Sequence, residues 1–203
     1  MDMTKPNSPK PHRRSLRLRG YDYSQAGAYF VTICTRDRLC LFGEIVDGVM
    51  HLNSAGEMIQ SIWNEIPLYY PGTEVDKWVI MPNHMHGILG LVGAGPRACP
   101  DRAPSHGSRQ RSGPARLSLP DLVHRFKSLA TKRYIDGVKQ SGWPPFPGQL
   151  WQRNYWERII RDEAELDLTR EYIRNNPAQW ELDQLYVGIK GQPRGVAPTD
   201  PAP

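Results

Sequence analysis

No stretch of the chain stays apolar for the length that a membrane-crossing helix needs, and no short apolar core reads as an export signal. Cysteine is scarce. Cys34, Cys40 and Cys99 are an odd three with no CxxC spacing. They read as reduced thiols of a cytoplasmic protein. A GxxxxGK[ST] phosphate loop is also missing, which argues against nucleotide-driven chemistry. No internal repeat is visible, so solenoids and propellers are set aside.

What is present is a chain of 203 residues with 26 Lys and Arg against 21 Asp and Glu. That length suits one domain with a real core, plus tails. The positive surplus is uneven. Lys5, Lys10, Arg13, Arg14, Arg17 and Arg19 face a single acid, Asp2, in the first twenty residues. Two readings stand for this segment: an arm for an anionic partner such as nucleic acid, or a solvated tail. The chain divides into a basic, unstructured arm over 1–19, a single domain over 20–187 and a loose Gly/Pro-rich tail over 188–203. The domain is interrupted at about 93–117 by "GAGPRACPDRAPSHGSRQRSGPAR". This insertion has too few large apolar residues to offset its ordering entropy.

Between these segments the elements are legible. "AYFVTICT" at 28–35 is β-branched and aromatic, a strand. Residues 39–53 form a hairpin around Asp47-Gly48. A helix follows, with Ser54 as N-cap and Glu57 closing a capping box. Strands at 74–81 and 84–92 flank Pro82-Asn83, and helices at 118–136 and 162–176 follow, the last ended by Pro177. The order predicts an α+β sandwich, an antiparallel sheet with helices packed on one face.

Two short motifs carry chemistry. In "MPNHMHGIL", His84 and His86 are two apart on a strand, so they share a face. They are either ordinary polar residues at a strand end or the start of a metal site. In "REYIRNNPAQW", Tyr172 and Asn176 are four apart and share a helix face. A tyrosine is a covalent nucleophile and an asparagine amide oxygen a ligand for a hard cation. The alternative is a core tyrosine followed by an asparagine at a helix end.

Together with "RRSLRLRGYDYSQAGAYFVTICTRDRLCLFGEI", "FKSLATKRY" and "LWQRNYWERIIRDEAELDLT", these motifs resemble the single-tyrosine HUH transposases of insertion sequences. They most resemble the REP-associated tyrosine transposases. The resemblance spans most of residues 13–180 in the family's order. It implies a ferredoxin- or RRM-like sandwich with the histidines on a central strand. Tyr172 is then the nucleophile, and His84, His86 and Asn176 the metal ligands. The implied reaction cleaves and rejoins single-stranded or hairpin DNA, REP-type repeats included, through a 5′-phosphotyrosine. The metal is Mg2+ or Mn2+. Imidazoles favour manganese, whereas cellular abundance and the resemblance favour magnesium.

For DNA contacts, the sequence offers Arg13, Arg14 and Arg17 of the arm, Arg125, Lys127, Lys132 and Arg133 of the 118–136 helix, and Arg153 and Arg158 among the aromatics of "WQRNYWERIIR". Those aromatics either stack on bases or belong to the core. Trp63 and Trp78 are assigned to the core. The Lys and Arg of the 125–133 helix and a metal-bound water are the candidates for activating the tyrosine. Monomer and homodimer are both open, since one helix can complete the site of its own chain or of a second copy. The rival functions are a non-catalytic single-stranded nucleic-acid-binding module of RRM-like fold, a metallohydrolase with further carboxylate or histidine ligands, and a rolling-circle initiator.

Overall fold

The computed structural model describes residue 18 and residues 20–92 and 117–186. The readings of the arm, of the 93–117 insertion (bar its last residue) and of the tail lie outside the described residues. Six strands and three helices run in the order β1 (Gly27–Cys34), β2 (Gly43–Val46), β3 (Val49–Leu52), α1 (Ser54–Tyr69), β4 (Thr73–Met81), β5 (His84–Leu91), α2 (Leu119–Ser141), β6 (Trp156–Ile160) and α3 (Glu163–Asn175). A 3-10 turn, Pro177–Leu182, follows α3.

The main sheet is antiparallel, in the order β4-β5-β1-β6. With α1 and α2 as crossovers this is the βαββαβ pattern of a ferredoxin-like sandwich. β2 and β3 form a separate hairpin. Asp47 and Gly48 turn it with φ of 50° and 74°. Two consecutive positive φ angles are what a two-residue hairpin loop of the mirror-image type requires.

Alternation sorts the sheet residues into two faces. Tyr29, Val31 and Ile33 of β1 and Met85 and Leu89 of β5 pack with Ile59, Ile62, Trp63 and Ile66 of α1 and Leu122, Phe126 and Ala130 of α2. Gly87 is the exception that makes this packing possible, because a Cβ there would stand 2.4 Å from the Trp63 ring. Trp63 is fully buried and Trp78 packs against the same core, as the sequence predicts. On the opposite face, Phe30, Ile88, Ile160 and Ile173 form a smaller apolar cluster. The expectation of helices on one face holds for α1 and α2, while α3 lies across the other.

Three local readings are corrected. The N-cap of α1 is Asn53, one residue before Ser54, and its side chain accepts from the Gly56 N–H. α2 starts with a capping box between Ser118 and Asp121 and continues beyond the predicted end at 136 to Ser141. β6 was not anticipated. It pairs with β1 from Ala28↔Ile160 to Thr32↔Trp156. Its sequence, "WERII", carries two charges in five residues and has no strict alternation of apolar and polar residues, because it is an edge strand.

Candidate active site on the α3 face of the sheet

α3 is fixed over the sheet at both of its edges. From β6, Arg158 reaches Glu165 at 3.3 Å and the Thr169 hydroxyl at 3.2 Å. At β4, Asp76 sits in a register shift between Val75 and Trp78 and receives Arg170 at 2.6 Å. Arg170 also contacts Glu163 and Asp167 of its own helix. These pins and the burial of Ile173 decide where the last turn of α3 stands.

That turn places Tyr172 over the histidines. Its hydroxyl lies 3.5 Å from His86 Nε2, and its ring meets His86 and Phe30 edge-on. The residue is 45 % exposed, whereas both histidines are buried. A hydroxyl on a part-exposed ring thus stands above two inward-held imidazoles.

The two imidazoles converge, with His84 Nε2 and His86 Nε2 3.1 Å apart. Their other nitrogens are anchored. His84 Nδ1 is 2.7 Å from Asn83 Oδ1, and His86 Nδ1 is 2.8 Å from Thr32 Oγ1. The Asn83 amide nitrogen donates to the carbonyl oxygens of Leu185 at 2.9 Å and Arg38 at 3.4 Å, so its oxygen faces His84. His84 Nδ1 therefore carries the proton, and its Nε2 offers a lone pair to the site. Orienting a ligating histidine through its second nitrogen is how metal sites fix tautomer and ring direction. Burial holds both imidazoles neutral, His86 down to about 3 and His84 well below its usual value. Neutral imidazole is the form that binds metal.

Asn176 caps α3 and is buried. Its Nδ2 is 3.4 Å from Asp183 Oδ2, and its Oδ1 is a buried acceptor with no partner. An orphaned amide oxygen is costly inside a protein, and with the lone pair of His84 Nε2 it is a donor suited to a cation. Asp183 stands at the same place, 3.8 Å from His84 Nε2. Cys34, across from His84 in the register, does not join the set, because its sulfur lies outside the group of ligand atoms formed by His84, His86 and Asp183. Tyr172 is also protonated at rest. Burial, and then the Asp183 charge, raise its phenol to about 12, while the Asn176 side chain pulls the other way.

The structure thus brings Tyr172, His84, His86 and Asn176 together. It does not bring the predicted DNA-binding residues of α2 to them, because α2 covers the opposite face. Lys127 donates its ammonium to the backbone carbonyls of Gln152, Arg153 and Asn154, at 2.9, 3.4 and 3.3 Å. Arg133 pairs with Glu65 at 3.1 Å, and Arg158 pins α3. These three are structural contacts. Arg125 stacks on Tyr70 and is exposed, as are Lys132 and Arg153. Trp151 is buried in the core and so not free for a base, whereas Trp156 is half-buried and packs edge-on against Phe30. Arg13, Arg14 and Arg17 lie outside the described residues.

Sequence reasoning missed Thr32, Asn83, Trp180 and Asp183. Thr32 could have been found, because it alternates onto the same face as Phe30 and pairs with His86. Asp183 had no such signal. It reaches the site only because the 3-10 turn after Pro177 folds back, with Trp180 against the His84 ring at 5.8 Å.

No family model matches the chain. An uncharacterized protein of Haemophilus influenzae (strain ATCC 51907 / DSM 11121 / KW20 / Rd) is 39% identical over 194 residues, covering 91% of this chain and 98% of that one. A second protein of the same strain, named "Putative REP-associated tyrosine transposase", is 25% identical over 182 residues, covering 84% of this chain and 86% of that one. Among solved structures, a REP-associated tyrosine transposase bound to a REP hairpin shares the fold at a TM-score of 0.50. It is 21% identical, over 80% of this chain and 73% of that one. In these relatives, and in the paired motifs on one face of the predicted sheet, the chain is similar to the REP-associated tyrosine transposases.

Proposed function

We propose that this protein is a transposase-type enzyme that cleaves and rejoins single-stranded DNA through a 5′-phosphotyrosine, at hairpin or REP-type repeats. The observation that carries the reading is the meeting of Tyr172 Oη with His86 Nε2 at 3.5 Å, beside His84 and the unpartnered Asn176 Oδ1. Its relatives support the substrate class, since one is named for REP-associated transposition and another was solved on a REP hairpin.

In this reading the Tyr172 oxygen forms a bond to phosphorus and the bond to the 3′ oxygen breaks. The phenol loses its proton and the leaving oxygen takes one up as a free 3′-OH. One ester replaces another, so the step is reversible without ATP. His84, His86 and Asn176 would hold a magnesium or manganese ion, which supplies Lewis-acid polarisation of the scissile phosphate. The chain's own residues do the rest. Asn83 and Thr32 keep both imidazoles aimed. Phe30 and His86 hold the phenol ring from two sides, so the oxygen is presented rather than searching. The resting phenol is protonated, so an acceptor is required. The basic residues of α2 do not serve, because they lie across the sheet.

Tyr172→Phe is the test. It keeps the ring and removes the nucleophile. Cleavage of a single-stranded hairpin substrate is expected to vanish while binding persists. Wild type is expected to yield a covalent 5′-linked adduct that survives denaturing gels and maps to Tyr172. Asp183 favours one second reading, hydrolysis by a His-His-Asp metal centre. Cleavage by Tyr172→Phe with no adduct in wild type would establish that reading. DNA binding by wild type with no cleavage at all would establish the non-catalytic module.

A further inference from the structure

The resemblance to the family implies three neutral donors: two imidazoles and an amide. The structure adds a charged one. Asp183 Oδ2 lies 3.8 Å from His84 Nε2, and the ligand atoms of His84, His86 and Asp183 all fall within 4.8 Å of one another. Donors sharing an ion at about 2.0–2.2 Å stand roughly 3–4 Å apart. The His84–His86 separation of 3.1 Å and the His84–Asp183 separation of 3.8 Å fit that range.

The carboxylate is already oriented. The Leu185 N–H donates to Oδ1 at 2.6 Å, which holds one oxygen in its own turn and leaves Oδ2 toward the site. Leu185 is itself tied to the strand turn through its carbonyl, which accepts from the Asn83 amide. Asn83 therefore braces both His84 and the segment that carries Asp183. The Asn176 amide turns its nitrogen to Asp183 Oδ2, and its own oxygen stays buried and unpartnered. An anionic donor thus stands at the histidine pair, and an amide oxygen still lacking a partner belongs to the side chain bonded to it.

Charge accounting points the same way. The Asp183 side chain is 9 % exposed. A carboxylate so placed needs a counter-charge. The facing imidazoles are neutral and supply none. Arg38 lends it some positive charge from a distance, with its guanidinium N–H bonded to the Gln184 carbonyl oxygen at 3.2 Å, yet burial still pushes the Asp183 carboxyl up. A divalent cation at the convergence of His84, His86, Asn176 and Asp183 satisfies the orphaned amide and the buried carboxylate at once.

We infer that Asp183 is a fourth, anionic donor to the divalent ion of this site and shifts its balance toward hard cations such as manganese and magnesium. Two imidazole nitrogens alone lean toward softer metals, and two oxygens shift that balance. The inference rests on the metal-dependent reading above.

The experiment measures Mn2+ binding to the full chain by the loss of the free-ion electron paramagnetic resonance signal, with zinc competition alongside. Wild type, Asp183→Asn, His84→Ala and Tyr172→Phe are compared. Asp183→Asn keeps an oxygen for the Leu185 N–H. It is expected to weaken Mn2+ at least tenfold, zinc less, with Tyr172→Phe unchanged. Mn2+ affinity within twofold of wild type in a folded Asp183→Asn overturns the inference and leaves the reading of the site intact. Equal affinity in His84→Ala, or no Mn2+ binding by wild type, overturns the site reading and the inference with it. If Asp183→Asn does not fold, wild type with carboxyl-13C aspartate decides. A manganese–13C coupling in electron–nuclear double resonance supports Asp183, and its absence overturns it.

Discussion

The two faces of the sheet share every strand and differ in almost everything else. The α1–α2 face is apolar and closely packed, with Trp63 against the bare backbone of Gly87 and Phe126 edge-on to Trp63. The α3 face has a small apolar cluster around Phe30 and Ile173, and beside it Thr32, His84, His86 and Asn176, all polar and all buried. One strand serves both. Met85, Gly87 and Leu89 of β5 look to the core, and His84 and His86 between them look to the site. A site built this way is held rigidly, because its ligands cannot move without moving the core residues that adjoin them along the backbone. The cost of burying polar groups is confined to one side, and the other side offsets it.

Substitution on each side of the same strand pair separates these roles most strongly. Trp63→Ala empties the space over Gly87 and is expected to cost about 3–5 kcal/mol of stability in urea unfolding. His86→Ala leaves the Thr32 hydroxyl without its partner, a cost of about 1–3 kcal/mol, and is expected to abolish cleavage while DNA binding survives. Equal losses of stability from the two would break the division of labour. Full cleavage by His86→Ala, or by wild type in EDTA, would remove the metal from the account of the α3 face.

A pH series sharpens the same contrast by a smaller effect. In the metal-free protein, His86 is held at about 3 and His84 well below its usual value of 6.5, both by burial. In the unfolded chain they take up protons near 6.5. The unfolded state then binds more protons at every pH between the two values. Stability is therefore full above about 6.5 and falls as the pH drops toward 3, by about 1.4 kcal/mol per pH unit for each histidine. Urea midpoints at pH 7.5 and 5.5 measure the slope in EDTA, and His86→Gln is expected to remove about half of it. A slope unchanged by His86→Gln would mean that the buried imidazole is not the titrating group.

The alternation in "HMHGIL" fixes which residues share a face, so the histidine pair and its strand were legible from spacing alone. The four-residue step from Tyr172 to Asn176 was legible for the same reason. Both are properties of one element. What escaped depends on two. Asp183 joins the site only through a turn after Pro177 that folds back on β5, and Asn83 acts only because Leu185 returns to it. That the basic residues of α2 stand across the sheet from Tyr172 was not legible, because a helical charge pattern says which side of the helix faces solvent, not which face of a sheet the helix covers. Lys127 looked like a phosphate ligand because its three carbonyl partners lie 25 to 27 residues away in sequence.

That last correction yields the smallest expected effect, and it divides the cationic residues into two kinds. Lys127, Arg133 and Arg158 hold carbonyls or carboxylates of the fold, so their removal is expected to act on stability. Arg125, Lys132 and Arg153 are exposed, the first stacked on Tyr70. If they meet DNA at all, they meet phosphate, and Arg125 and Lys132 do so from α2, across the sheet from Tyr172. Alanine at each is expected to weaken binding to unrelated single strands alike and to lower the salt slope by about 0.7 for each phosphate no longer neutralised. Lys127→Ala is expected to leave that slope unchanged and to lower the urea midpoint, because three backbone carbonyls are deprived of a charged donor. Salt titrations of binding to a hairpin and to an unrelated oligonucleotide test both halves. A change of slope in Lys127→Ala with stability intact would return that lysine to the DNA interface. A change of sequence preference in Arg153→Ala would show that its segment reads bases and that the DNA path crosses the β6 edge of the sheet.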